Sequence, residues 1–394
     1  MTSALSNIKV IDFTRVLAGP FCTMMLADMG AEVIKIEKSE TGDDSRAYGP
    51  YINGESAYFM SINRGKKSIT VDLKSEKGKQ IIYKLVKDAD VVVENFKPGV
   101  MKKLGLDYET LKEINPKLIY CASSGFGQTG PYSKRPAYDL IIQGMGGLMS
   151  ITGPDASCPT KVGSSVADIF AGMFSVIGIL AALNSRTLTG KGQMVDVAML
   201  DCMVSILENA IARYTGSGID PVPIGNTHPS IAPFTSVKTS DGYINIACGN
   251  DQLWEALCNI INKPELLKDP KYANNHSRCE HMPDLLPILN EAMKENTSDF
   301  WLQKLEAGKV PAGPINTISK VIADPQVIAR NMIVDLCHPI AGKIKVPGTP
   351  IKFSETPSEI SKPAPVLGED SDLILSELGY SKDEISQLRT DGVI

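Results

Sequence analysis

Apolar positions in the first half of the chain fall into short runs separated by amphipathic stretches. Ile8–Asp12, Glu32–Glu37, Lys67–Leu73, Val91–Asn95 and Leu118–Ser123 are rich in Val and Ile and bounded by turn residues, so each predicts a buried strand. Phe21 to Met29 and Ser75–Asp88 carry helical spacing, and Gly30 closes the first of these helices. Strand, helix and strand in close succession make a βαβ unit, hence parallel strands joined by a right-handed crossover. After the turn Phe96-Lys97-Pro98-Gly99 comes a short basic helix with Met101, Lys102, Lys103 and Leu104.

The longest apolar stretch is Val166–Leu183, VADIFAGMFSVIGILAAL, with one charged residue, Asp168, near its start. Ala171, Gly172, Ser175 and Gly178 follow at helical spacing, so one face carries almost no bulk and something packs closely on it. The stretch is interrupted by Asp, Ser and Gly and reads as a buried helix, not a membrane span. A buried carboxylate must be solvated, paired, used as a helix cap or kept for chemistry. The pattern alone leaves these open.

Gln193–Val197 predicts a further strand and Leu200–Tyr214 a helix. Composition then shifts. The Gly- and Pro-rich segment 216–233 reads as a linker, and 234–325 as a small α+β domain with strand YINIAC and helices Asp251–Ile261, Met282–Glu295 and Ser298–Glu306. Residues 326–394 return through a Pro-rich traverse to two short helices, Asp370–Leu378 and Ser381–Arg389, the second opened by the capping box Ser381/Glu384. Residues 1–215 are then the first part of a large domain that the C-terminal segment completes.

The chain has 394 residues and a formal net charge of −5, which speaks against a nucleic-acid protein. Its 8 Cys are scattered with no CxxC pair, the usage of a reduced, cytoplasmic protein. The first residues lack a basic region followed by a long apolar core, so no secretory signal is expected. The loop after the first strand carries one Gly, not GxGxxG, and the dinucleotide fingerprint is absent. Glu37 stands where a ribose-binding acid would, but Lys38 follows it. Arg15, Lys38, the run Asn63-Arg64-Gly65-Lys66-Lys67, Lys97, Lys134 and Arg135 put cations near the predicted binding edge of the sheet and point to a ligand with several phosphates.

Several segments carry a resemblance to the family III CoA-transferases. They are Val16-Leu17-Ala18-Gly19-Pro20, Gly30 to Glu37, Asn63 to Ser68, Glu94-Asn95-Phe96, Gly125 to Pro131, Val166-Ala167-Asp168, and Leu378-Gly379-Tyr380 to Ile394. The resemblance runs nearly end to end. It implies an α/β fold: a Rossmann-like large domain formed by both chain ends, a smaller α+β domain, and an interlocked homodimer. It makes Asp168 the nucleophile that takes the acyl group from an acyl-CoA and passes CoA to a small carboxylate, with no permanently bound cofactor, no metal and no membrane partner. It assigns coenzyme A contacts to Val16, Lys38, Val71, Lys74, Asn95, Phe96, Val100, Lys103, Tyr138 and Met199.

Within the family, Leu17, the run Gly42 to Tyr51, Gly225 to Pro229 and Ala232-Pro233-Phe234 are more similar to acetyl-CoA:oxalate than to formyl-CoA:oxalate transferases. Transferases that use succinyl-CoA share much of this pattern. Arg46 or His228 is then expected at the acceptor's carboxylate. Racemization of α-methylacyl-CoA on the same fold uses a His before an Asp; Tyr138-Asp139 stands there, and the high pKa of Tyr disfavours that chemistry. Backbone amides of Gly144 to Gly147, or of Gly249-Asn250, are candidate oxyanion donors.

Overall fold

In the computed structural model, which describes residues 3–394, the organizing element is a six-stranded parallel sheet. Its strands are β1 (Lys9–Asp12), β2 (Glu32–Glu37), β3 (Lys67–Thr70), β4 (Val91–Glu94), β5 (Ile119–Ser124) and β6 (Gln193–Ala198), in the order β3-β2-β1-β4-β5-β6. That is the doubly wound order, whose direction reverses between β1 and β4.

Period-two alternation sends each strand's side chains to both faces. Ile11, Ile34, Val92 and Tyr120 pack on one side with Ile81, Ile82 and Leu85 of a helix at Glu76–Lys87, and with Ile374, Leu375, Ile385 and Leu388 from two C-terminal helices. Val10, Val33, Val91, Val93 and Cys121 pack on the other side against α1 (Ala18–Asp28) and the long Val166–Thr189 helix. The C-terminal segment therefore completes a layer that the N-terminal half begins. The second of those C-terminal helices opens with the Ser381/Glu384 capping box.

The close-packed face of Val166–Thr189 meets α1. A Cβ on Gly172 would lie 2.7 Å from the Ala18 carbonyl oxygen, and one on Gly178 2.6 Å from Val195 Cγ1. The small residues thus admit a neighbouring helix and strand. By length and composition this helix would suffice to cross a membrane, but Ala167, Ala171, Val176, Ile179 and Leu183 lie in the core.

Several boundaries move for physical reasons. α1 starts at Ala18, not Phe21, because Pro20 lies in the first turn, where a missing N–H costs nothing. The long helix runs past Leu183 to Thr189 and ends at Gly190, whose φ of 71° suits a left-handed cap. The stretch Leu200–Tyr214 divides into helices Met199–Ser205 and Glu208–Ser217.

Contact clustering divides the chain into two units. The larger comprises residues up to Leu148, Val162–Ile211 and Pro325–Ile394; the smaller comprises Met149–Lys161 and Ala212–Asp324. The smaller has a three-stranded antiparallel sheet, with β7 (Phe234–Lys238) paired to β8 (Tyr243–Ala247) and β8 to β9 (Ala312–Pro314). Val237, Ile244, Trp254, Leu257, Leu285 and Leu305 form its core. The Pro-rich traverse contains an antiparallel hairpin, Ile333–His338 with Gly342–Pro347, which flanking prolines concealed.

Candidate active site

Open parallel sheets bind ligands beyond the strand C-termini at the point where strand order reverses. Here that point lies between β1 and β4, and the loops that follow these strands are tied together. Asn95 accepts from Arg15 N–H at 2.8 Å and donates to the Arg15 carbonyl at 2.8 Å. The Arg15 guanidinium stacks 4.8 Å from the Phe96 ring centroid. Val16 N–H donates to Asp43 at 3.0 Å, and Val16 is held at φ +68°, rare for a β-branched residue.

Two cavities open on either side of this tie. One, of about 500 Å³, is lined by Lys38, Val71, Lys74, Phe96 and Val100. The other, of about 280 Å³, is lined by Val16, Asn95, Phe96, Tyr138, Met199 and Asp168. Arg15 and Phe96 border both. Of the ten residues to which the resemblance assigned coenzyme A contacts, only Lys103 lines neither; it lies on the solvent-exposed side of the short helix Val100–Leu104.

Asp168 is in the first turn of the long helix, and its carboxylate accepts no hydrogen bond and pairs with no cation among the described residues. The cap that the sequence allowed it to provide comes from elsewhere. Asp139, in the helix Asp139–Met145, accepts from Ala167 N–H at 2.9 Å and from Gln143 Nε2 at 2.7 Å. Burial, and secondarily the Asp139 charge, push the Asp168 carboxyl up to about 7. Leu17 and Ala18, at the N-terminal end of α1, line the same cavity, and a helix N-terminus favours negative charge.

Glu94, at the end of β4, is buried and donates no charge to this edge. Burial raises it to about 8, opposed by a hydrogen bond from Phe96 N–H at 2.7 Å and assisted by Asp196.

Several expected ligand cations are structural instead. Arg64 forms a bidentate pair with Asp28, Lys66 is buried on Asp12, and Lys67 pairs with Glu32. Arg64 and Lys66 precede β3 and fold inward onto buried acids, whereas Lys67 opens β3 and pairs with a partly exposed one. Glu37 is no ribose ligand: it holds Arg46 through two bonds of 2.7 Å and also accepts from Ser68. Arg46, stacked 3.7 Å from the Phe59 centroid, is thereby removed from acceptor binding. His228 belongs to the smaller unit, where its Nδ1 accepts from Ser230 N–H and its ring packs on Phe234. The cations that do line the Asp168 cavity are Arg15, Lys97 and Arg135. The amides of Gly146 and Gly147 are spent on carbonyls at the end of their own helix.

Sequence reasoning named Asp139 only in the racemase comparison and Lys35 and Asp43 only inside segments of family resemblance; their contacts here, to Ala167 N–H, the Thr14 carbonyl and Val16 N–H, are distant in sequence.

The sheet order, with cavities at its reversal, places the larger unit among doubly wound α/β folds. The chain belongs to CoA-transferase family III, which residues 5–371 match. It is 47% identical over 382 residues to the succinate–glutarate CoA-transferase of Agrobacterium fabrum, covering 95% of each chain. It is 43% identical to the acetyl-CoA:oxalate CoA-transferase of Acetobacter aceti, covering 94% of this chain and 95% of that one. A crystal structure of a CaiB/BaiF family protein from Brucella suis superposes with a TM-score of 0.87 at 45% identity, covering 96% of this chain and all of that one. The protein is a CoA-transferase.

Proposed function

We propose that this enzyme moves coenzyme A from a short acyl-CoA, succinyl- or acetyl-CoA, to a small dicarboxylate, with Asp168 as nucleophile. The observation that carries the reading is the Asp168 carboxylate, unengaged and facing a cavity whose walls include Val16, Asn95, Phe96, Tyr138 and Met199, all expected to contact coenzyme A. The named relatives act on glutarate and oxalate, both dicarboxylates. Arg15, Lys97 and Arg135 supply cations for the acceptor's second carboxylate.

The steps balance without a net proton. An Asp168 oxygen attacks the thioester carbonyl, the C–S bond breaks, and an aspartyl anhydride and CoA thiolate form. The thiolate attacks the Asp168 carbonyl, releasing the first acid and leaving an aspartyl-CoA thioester. The incoming carboxylate attacks that thioester and regenerates thiolate and a new anhydride. Thiolate attack on the acceptor's acyl carbon then frees Asp168. A desolvated carboxylate is a better nucleophile than a hydrated one, and this half-buried position is desolvated enough to raise the carboxyl.

The assembly we propose is the interlocked homodimer. Ile177 on the long helix is 57% exposed, and Leu140, Ile141 and Met145 on the Asp139–Met145 helix are exposed too, apolar side chains that a second copy would cover.

Asp168→Ala is expected to lower exchange of coenzyme A between succinyl-CoA and glutarate by roughly three orders of magnitude or more. Hydroxylamine added during turnover should modify Asp168 alone, read by peptide mass. A variant with turnover near that of the wild type would exclude the nucleophile.

A further inference from the structure

We propose that the buried Lys35–Asp43 ion pair, together with Asp12 and Lys66, positions the loop Thr14–Val16 for the reaction at Asp168. This inference rests on the reading of Asp168 as nucleophile.

The loop belongs to no helix or strand, yet side chains hold almost every main-chain polar group in it. Thr14 N–H donates to Asp12 at 2.8 Å, and the Thr14 carbonyl accepts from Lys35 Nζ at 2.7 Å. Asn95 holds both groups of Arg15. Val16 N–H donates to Asp43 Oδ1, which also accepts from Ser45 N–H and Ser45 Oγ at 2.8 Å each. Beneath the loop, Lys35 and Asp43 pair at 2.8 Å, and Lys66 pairs with Asp12 at 3.0 Å. All four side chains are fully buried.

Stability alone does not account for this arrangement. Apolar residues of similar volume often replace a buried ion pair at no loss of stability or with a gain. What apolar residues cannot do is donate to the Thr14 carbonyl or accept from Val16 N–H. Those two bonds hold Val16 at φ +68°, a conformation it would not keep unaided. Val16 and Leu17 then line the cavity that Asp168 faces. The charges thus act on the reaction through the loop; Lys35 and Asp43 do not line the Asp168 cavity, and Asp43 borders only the larger one.

The test separates packing from positioning. The double variant Lys35→Met with Asp43→Leu removes both charges together; because it leaves the Thr14 carbonyl and the Val16 and Ser45 N–H groups without partners, it is expected to melt below the wild type but to remain folded at the assay temperature. Its kcat/KM for succinyl-CoA is expected to fall roughly tenfold to a hundredfold, because a small misplacement of reacting groups costs that much. Its affinity for free coenzyme A, measured by calorimetry, should weaken as well. If the double variant does not fold, Asp43→Ala alone decides, since it deletes the acceptor of Val16 N–H. Asp43→Asn keeps an acceptor oxygen and is expected to recover activity to within a few-fold of the wild type. Either folded variant with kcat/KM like that of the wild type would overturn the proposal, as would equal losses in Asp43→Asn and Asp43→Ala. An active Asp168→Ala would instead overturn the nucleophile, so the two failures are distinguishable.

Discussion

Two sets of carboxylates at the same edge of the sheet meet opposite fates. Asp12 and Asp43 are fully buried, yet both are held below their ordinary value. Burial pushes each up, but the cations beside them outweigh it: Lys66 and Lys35 for Asp12, and Lys35 for Asp43. Glu94 is buried and Asp168 half-buried, neither with a cation in contact, and they rise to about 8 and about 7. Burial is therefore not what distinguishes the structural acids from the one proposed as nucleophile. The distinction is the partner. A paired acid fixes a loop; an unpaired acid beside a cavity retains a free oxygen with which to attack.

The largest expected effect tests the unpaired side. Asp168 folds with its pKa raised, so between about 4 and 7 the unfolded chain has released a proton that the native state still holds. Stability therefore falls as pH rises through that window, and the full penalty is present above pH 7. Asp168→Asn removes the penalty. It is expected to be more stable than the wild type at pH 8 by on the order of 2 kcal/mol and equal to it near pH 4, read by thermal melts at both values. The mutation would thus gain stability where it loses catalysis. A difference that did not depend on pH would mean that Asp168 is not perturbed.

A smaller effect sharpens the comparison by changing only the neighbour. Asp139→Asn keeps an oxygen for Ala167 N–H but removes the charge that helps raise Asp168. The acid limb of kcat/KM, expected near 7 in the wild type, should move down by less than about one pH unit, because burial, the larger cause, remains. An unmoved limb would leave burial as the sole cause.

Much of the fold was legible because it rests on local patterns. The strand Glu32–Glu37, set off by the Gly30 that closes the preceding helix, falls where the sequence put it. The capping box at Ser381 is a local signature and forms as read. The hairpin Ile333–His338 with Gly342–Pro347 was hidden because prolines suggested an irregular traverse, although Lys343 to Val346 alternate between polar and apolar. At the site, Asp168 was conspicuous as a lone charge in an apolar helix. What could not be read was which acid caps that helix. Asp139 does so from 28 residues away in sequence, and nothing in its own neighbourhood announces the contact. The fate of Arg46 was hidden likewise, since a cation in a loop looks the same whether it waits for a ligand or is already held by Glu37.

The smallest expected effect concerns Lys103, the one expected coenzyme A contact that lines neither cavity. Its side chain lies on the exposed side of a short helix, where ions screen its charge over about 8–10 Å at ordinary salt. It therefore acts on a phosphorylated ligand only as part of a diffuse field, not through a fixed bond. Lys38 and Lys74, by contrast, line the larger cavity and stand close enough to make charge-assisted contacts. Lys103→Ala is accordingly expected to raise the KM for acyl-CoA by no more than about twofold at 20 mM salt and by nothing measurable at 200 mM, with kcat unchanged. Lys38→Ala should raise it more and keep much of that effect at the higher salt. If Lys103→Ala had the larger and more salt-resistant effect, the ligand's phosphates would have to lie beyond the larger cavity, over the Val100–Leu104 helix.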